Sequence, residues 1–172
     1  MKMMILSDNH GRWKKVYDIV KEVRPTVDYI FHLGDSEFEQ DDSIWEFIDG
    51  AVEGNMDGTH YYPMEQIIDT PEGKVYLVHG HVQSVNRTNS VVIELAKERG
   101  ANFVFHGHTH QLKSELIDDE LLLVNPGSLN NSRGIHPYKT YAIVNVTKDE
   151  YEVTFYDEDM KLLEELTHTY PR

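Results

Sequence analysis

Residues 102–110 read NFVFHGHTH. The apolar run Phe103 to Phe105 passes through His106 and Gly107 straight into His108 and His110. A short apolar run bounded by glycine reads as a buried strand, so this stretch is a strand ending in imidazoles. Histidine is the commonest metal ligand and also an ordinary polar residue. The triplet decides nothing alone; what matters is whether other strands end the same way.

They do. MMILS (3–7) runs into Asp8-Asn9-His10, YIFHLG (29–34) into Asp35, and VYLV (75–78) into His79-Gly80-His81. A short strand at Ala51 to Glu53 runs into Gly54-Asn55. Five strands thus deliver a carboxylate, amide or imidazole at their carboxyl ends, the edge where open α/β sheets bind ligands. Helical patterns lie between them. Trp13 to Val23 has apolar residues at 13, 16, 17, 19, 20 and 23, closed by Pro25. Ile44 to Ile48 reads as a short helix, and Ser90 to Arg99 as a helix with Gly100 as its cap. EQIIDT (65–70) and KVYLVHG (74–80) flank a hairpin turn at Pro71-Glu72-Gly73.

After residue 110 the pattern changes. LKSELIDDELLLVNPG, TYAIVNVTKDEYEVTFYD and MKLLEELTH read as strands, with tight turns at Asp118-Asp119 and Lys148-Asp149. The acidic stretch 157–165 reads as a solvated edge strand, where charge discourages sheet-to-sheet pairing. The whole predicts an α/β fold with βα units in front and a meander behind, in one domain over residues 1–172.

A chain of 172 residues, 40% hydrophobic and 27% charged, suits one globular domain. The absence of cysteine excludes disulfides and thiol chemistry. MKMMILSDNH lacks a signal peptide's long apolar segment and cleavage site. No apolar run approaches the roughly 18–20 residues that span a bilayer, so a cytoplasmic chain without a membrane partner is expected. The net charge of −14 argues against extended nucleic acid as a partner. It leaves room for a small anionic substrate, since two divalent cations would add about four positive charges at one spot. A homo-oligomer stays open.

Carboxylate, amide oxygen and imidazole without thiolate suit hard or borderline divalent metals. Seven candidates, Asp8, His10, Asp35, Asn55, His79, His108 and His110, are too many for one tetrahedral ion and suit two. In an extended segment His108 and His110 point the same way, roughly 6–7 Å apart. Two metals about 3.5–4 Å apart take one imidazole each more easily than one metal takes both. Asp35, on the middle strand, is the natural bridge. Plainer readings stand beside these. Asp8 and His10 could cap the helix near Trp13. Asp57 reads as a turn or orienting group, and His32 and His106 as hydrogen-bonded structural residues. His81 divides between backing a ligand, touching substrate and plain surface. Arg87 and Arg133 lie in loops, solvated or meeting a substrate phosphate.

The ordered motifs Asp8-Asn9-His10, Gly34-Asp35, Gly54-Asn55-Met56-Asp57, His79 and Gly107-His108-Thr109-His110 resemble the calcineurin-like metallophosphoesterase superfamily over nearly the whole chain. The short length and Asn125-Pro126-Gly127-Ser128 are similar to its small YfcE-type phosphodiesterase subgroup. The resemblance implies a four-layer α/β/β/α sandwich with two mixed β-sheets, and a backing role for 125–128. It implies a first metal on Asp8, His10, Asp35 and His110, and a second on Asp35, Asn55, His79 and His108. Mn²⁺ is the first expectation, with Zn²⁺, Fe²⁺, Ni²⁺ and Mg²⁺ as alternatives. The expected reaction is hydrolysis of a small phosphoester, above all a phosphodiester of nucleotide-like size, by a hydroxide bridging the metals. Many members carry histidine where this chain has Met56, and methionine can neither steady a phosphate nor protonate a leaving group. The resemblance extends to the retromer scaffold subunit, so a non-catalytic metal-binding interaction scaffold is the alternative. A nuclease is a third reading, opposed by the charge.

Overall fold

The computed structural model describes residues 1–58 and 61–172. The strands are β1 (Lys2–Leu6), β2 (Tyr29–His32), β3 (Gly50–Ala51), β4 (Glu65–Thr70), β5 (Gly73–Val78) and β6 (Phe103–Phe105), then β7 (Lys113–Ile117), β8 (Leu121–Asn125), β9 (Thr140–Val146), β10 (Glu150–Asp157) and β11 (His168–Pro171). Two α-helices, α1 (Trp13–Val23) and α2 (Ser90–Glu98), complete the frame. One sheet has the order β11-β10-β9-β1-β2-β3 and the other β4-β5-β6-β8-β7. Both are mixed: β1, β2 and β3 run parallel, with β9 antiparallel to β1, β10 to β9 and β11 to β10, and β5, β6 and β8 run parallel, with β4 antiparallel to β5 and β7 to β8.

Side-chain alternation builds the layers. Met3 and Ile5 of β1 face the other sheet and meet Leu77, Phe103, Phe105 and Val124 in the central core. Met4 and Leu6 point the opposite way, under Val16, Ile19 and Val20 of α1. In the second sheet Tyr76, Val78, Val104 and Leu123 turn outward beneath Val92 and Ala96 of α2. The layers are therefore α1, sheet, sheet, α2. Strands buried on both faces must be apolar at every position, which is why β1, β6 and β8 read as unbroken apolar runs. Helix α2 closes with a Schellman pair, Ala101 N–H to Ala96 O (2.9 Å) and Gly100 N–H to Lys97 O (3.0 Å).

The structure corrects several expectations. The back half is not one meander. Leu122 and Val124 of β8 pair in parallel with Phe103 and Phe105, so β7 and β8 join the second sheet. The chain then crosses, and β9 pairs with β1 in the first. The stretch 157–165 is not an edge strand, and 160–168 is not a strand throughout. Leu163 and Leu166, three residues apart, turn into the core through a 3-10 turn at Glu164–Leu166, and the edge strand is β11. The helix expected at 44–48 is a 3-10 turn at Ser43–Phe47, and the strand expected at 51–53 is Gly50–Ala51.

Candidate metal centre

The parallel strands β1, β2, β5 and β6 all finish at one edge, and their loops lie side by side there. Asp8 N–H donates to Gly34 O (3.0 Å), His10 N–H to Asp35 O (3.1 Å) and Gly107 N–H to His79 O (3.0 Å). These loops are kinked. Asp8, His10, Arg12, Asp35, Glu37, His108 and His110 all have φ between 43° and 68°. Non-glycine residues in this left-handed region cost roughly 1–3 kcal/mol each and gather at functional sites. The expectation of an extended 108–110 segment therefore fails; two left-handed residues fold it back. Asp8 caps nothing either: the residue preceding α1 is Arg12, and no side chain caps the helix. Two glycines permit the close approach. A Cβ on Gly54 would overlap the Asp35 carboxylate and backbone, and one on Gly107 would overlap Ser7 Oγ and Asp8 Oδ2.

Lone pairs converge at this edge. The Nδ1 atoms of three histidines each meet an acceptor: His10 at Glu37 Oε1 (2.6 Å), His110 at Asn131 O (3.0 Å) and Oδ1 (2.8 Å), His79 at Leu33 O (2.6 Å). Those acceptors hold a proton on each Nδ1 and turn each Nε2 toward the edge. His10 Nε2 lies 3.4 Å from His110 Nε2, which lies 3.1 Å from Asp8 Oδ1. His79 Nε2 lies 3.4 Å from Asp35 Oδ2, 3.9 Å from Asp8 Oδ1 and 3.2 Å from Asn55 Oδ1. Asp8 Oδ1 is buried without a well-directed donor, whereas Oδ2 is held by Ser7 Oγ (2.6 Å) and His108 N–H (2.9 Å). Facing lone pairs repel unless a proton or a cation sits between them. Two donor groups result, Asp8-His10-His110 and Asp8-Asp35-His79, each with its atoms within 4.8 Å of one another. The residues present fit divalent cations.

Electrostatics agree. Burial opposes ionisation of both carboxylates, but His110 and His79 hold Asp8 below the usual range, and His79 holds Asp35 at about 2. Burial also opposes protonation of His79 and His110, yet Asp35 and Asp8 push both upward. The site attracts positive charge on every count.

Asp8, His10, Asp35, Asn55, His79 and His110 are thus brought together. Asp35 Oδ2 reaches both groups, 3.9 Å from His10 and 3.4 Å from His79, while Oδ1 accepts from Met56 N–H (2.7 Å). The geometry makes Asp8 a second shared carboxylate. His108 stands apart from both groups, its Nε2 2.8 Å from Asn86 Nδ2 and its ring 5.1 Å from that of His79. Asp57 orients: it accepts from the N–H groups of Asp35, Glu37 and Gly54, each at 2.8 Å. His81 rests against the rings of His79 and His108. Arg133 lines a cleft of about 200 Å³ with His10, Asp35, Asn55, Met56, His108 and His110. Arg87 is exposed and does not line it. His32 is a structural histidine between Asn9 Oδ1 (2.6 Å) and Gly34 N–H (3.1 Å). His106 is only half so, with Nε2 buried and unpartnered. Burial lowers both to about 4.

The stretch 125–128 does back the site. Asn125 Nδ2 donates to Gly107 O (3.0 Å) and Thr109 Oγ1 (2.9 Å), and Ser128 Oγ to Asp8 O (2.7 Å). Sequence reasoning missed Ser7, Glu37, Asn86 and Asn131. Nothing in the local pattern marks them, because each meets its histidine or aspartate through the fold; Ser7, beside Asp8, is the exception a reader could have found.

Comparison with known proteins gives the family. The family model for the calcineurin-like phosphoesterase superfamily domain matches residues 1–149. A probable metallophosphoesterase of Bacillus subtilis, YsnB, is 32% identical over 166 residues, 96% of each chain. A phosphodiesterase of Methanocaldococcus jannaschii is 29% identical over 174 residues, covering 88% of this chain and 96% of its own. The crystal structure of a predicted phosphoesterase from Streptococcus pneumoniae TIGR4 superposes with a TM-score of 0.94 at 30% identity, over 99% of this chain and 97% of that one. Vps29 of Entamoeba histolytica, solved with zinc, shares the fold with a TM-score of 0.74 at 15% identity, over 100% and 98%. The chain, with its two mixed sheets and its carboxylate–imidazole edge, belongs to the calcineurin-like phosphoesterase superfamily.

Proposed function

We propose that this chain hydrolyses small phosphodiesters with two divalent metal ions, Mn²⁺ first among them. The observation that carries the reading is the convergence of the His110 and His79 Nε2 atoms, with His10 Nε2 beside them, on the buried Asp8 Oδ1, to which no well-directed donor points. Divalent cations, when bound, neutralise phosphoryl charge and lower the pKa of water toward about 7. Asp8, His10, Asp35 and His110 would hold one, and Asp35, Asn55, His79 and His108 the other, with His108 turning from Asn86.

The chain's own groups do the rest. Arg133 brings a fixed positive charge to the cleft and would anchor a phosphoryl oxygen. The cleft, at about 200 Å³, is smaller than the ≈300–1,000 Å³ that encloses a drug-sized ligand. It therefore grips the phosphoryl group and leaves the ester substituent outside. Met56 stands at its rim, 55% exposed, and offers no proton. Good leaving groups are favoured for that reason. The name of the archaeal relative supports a diester over a monoester. The net charge of −14 disfavours long nucleic acid, and the cytoplasm is the compartment we propose.

The scaffold reading draws on the shared Vps29 fold. A scaffold gains nothing from a strained, lone-pair-lined edge, so we rank it second. Chelator-stripped protein would be assayed on an aryl phosphodiester and the matching monoester, with Mn²⁺, Mg²⁺, Zn²⁺ or no metal restored. Metal-dependent cleavage favouring the diester is expected. Protein that binds two ions yet cleaves neither ester would favour the scaffold.

A further inference from the structure

We infer that Glu37 is the positioning residue of the first metal site: its carboxylate locks the His10 imidazole with Nε2 turned to the ion and strengthens it as a donor. This rests on the metal reading above. Glu37 Oε1 lies 2.6 Å from His10 Nδ1, a charge-assisted length. Of the three imidazoles whose Nε2 faces the donor groups, only His10 leans on a carboxylate. His110 leans on the neutral Asn131 and His79 on the Leu33 carbonyl. His10 is also the most open of the three; its side chain is 20% exposed, against 3% for His110 and 0% for His79. Packing holds the other two rings, so His10 most needs a partner to fix its orientation.

The loop is built to place Glu37. Its backbone is left-handed at φ 54°, and its N–H donates to Asp57 Oδ1 at 2.8 Å. Asp57 holds Asp35 N–H by its other oxygen, also at 2.8 Å. One carboxylate thus sets both the bridging ligand and the residue that backs His10. Loop 8–11 is pinned to the same segment, through His10 N–H to Asp35 O (3.1 Å) and Gly11 N–H to Ser36 O (2.9 Å). A hydrogen-bonded acceptor behind a ligating histidine fixes the tautomer and raises ligand basicity, and its loss typically costs 10–100-fold in metal affinity.

The experiment is a calorimetric titration of Mn²⁺ into chelator-stripped wild type, Glu37→Gln and Glu37→Ala. In wild type two ions are expected. In Glu37→Ala one of the two should weaken by about 10–100-fold and the other stay within about twofold. Glu37→Gln keeps an acceptor without the charge and should fall between. The metal-free melting temperatures should match, since the Glu37 side chain is 40% exposed. Equal weakening of both ions, a drop in metal-free melting temperature that accounts for the loss, or unchanged affinity in Glu37→Ala would each overturn the assignment. Failure of the metal reading would show in wild type itself, where no Mn²⁺ would bind; failure of this one shows only in the variants.

Discussion

The space between the sheets and the edge above it are built on opposite principles. Between the sheets, Met3, Ile5, Leu77, Phe103, Phe105 and Val124 are fully buried, apolar and on regular strands. A few residues further along the same strands, the backbone turns left-handed at Asp8, His10, Asp35, His108 and His110, and carboxylate oxygens face imidazole nitrogens. The core is stable with nothing added. The edge is held in a strained backbone arrangement by that core, and its carboxylates draw in positive charge. Strain at a site is sustained by the structure that surrounds it.

Paired substitutions break the comparison most sharply. Phe105→Ala should cost about 3–5 kcal/mol of stability, as large core truncations do, and leave the metal ligands chemically intact. Asp35→Asn should do the reverse. It removes an ionised carboxylate that His79 stabilises, so metal-free stability at neutral pH should fall, but by no more than about 2 kcal/mol. Phosphoesterase activity should fall by more than the roughly hundredfold expected for a mere outer partner. Denaturant melts beside initial rates check both. An Asp35→Asn protein that is destabilised like Phe105→Ala would erase the distinction.

Acid tests the buried histidines that join the two regions. His32 and His106 are held at about 4 by burial, against about 6.5 in the unfolded chain. The unfolded state therefore takes up protons first. Stability is full above about pH 6.5 and is lost as pH falls toward 4, by roughly 3 kcal/mol per histidine at the limit. His79 and His110, pushed upward, add stability as pH falls from 7.5 to 6, so the diagnostic step is from pH 6 to 4.5, where denaturant midpoints should fall; no fall over that step would mean His32 and His106 are not buried neutral.

A close approach can be tested without touching a charge. Gly107→Ala places a Cβ against Ser7 and Asp8 Oδ2. It should weaken Mn²⁺ binding by about tenfold, within the range for disturbed ligand support. Arg133→Ala should have an effect no larger, and on substrate rather than metal. Its KM should rise by about tenfold, the worth of one charge-assisted hydrogen bond, with Mn²⁺ affinity unchanged in calorimetry. A lost Mn²⁺ site instead would make Arg133 structural.

Much of this was legible in the sequence, because strands buried on both faces are continuous apolar runs and each ends in a polar residue that has no place in a core. NFVFHGHTH shows both facts in nine residues. The turn at Asp118-Asp119 was legible too: both residues have positive φ, with Glu120 N–H returning to Ile117 O at 3.0 Å. What the sequence hid depends on distance along the chain. The partners Glu37 for His10 and Asn131 for His110 are 27 and 21 residues away. The division of β7–β8 from β9–β11 between two sheets is likewise set by packing, since both hairpins show the same local pattern. The tail misled for a simpler reason. Leu162, Leu163 and Leu166 fit neither a strict strand nor a full helix, and the 3-10 turn that buries the last two lies between.

The most direct measurement is the anomalous difference density of a crystal grown with Mn²⁺. Two peaks are expected about 3.5–4 Å apart, with Asp35 between them, His10 and His110 on one, and His79, Asn55 and His108 on the other. A single peak, or manganese away from the carboxylate–imidazole edge, would contradict it.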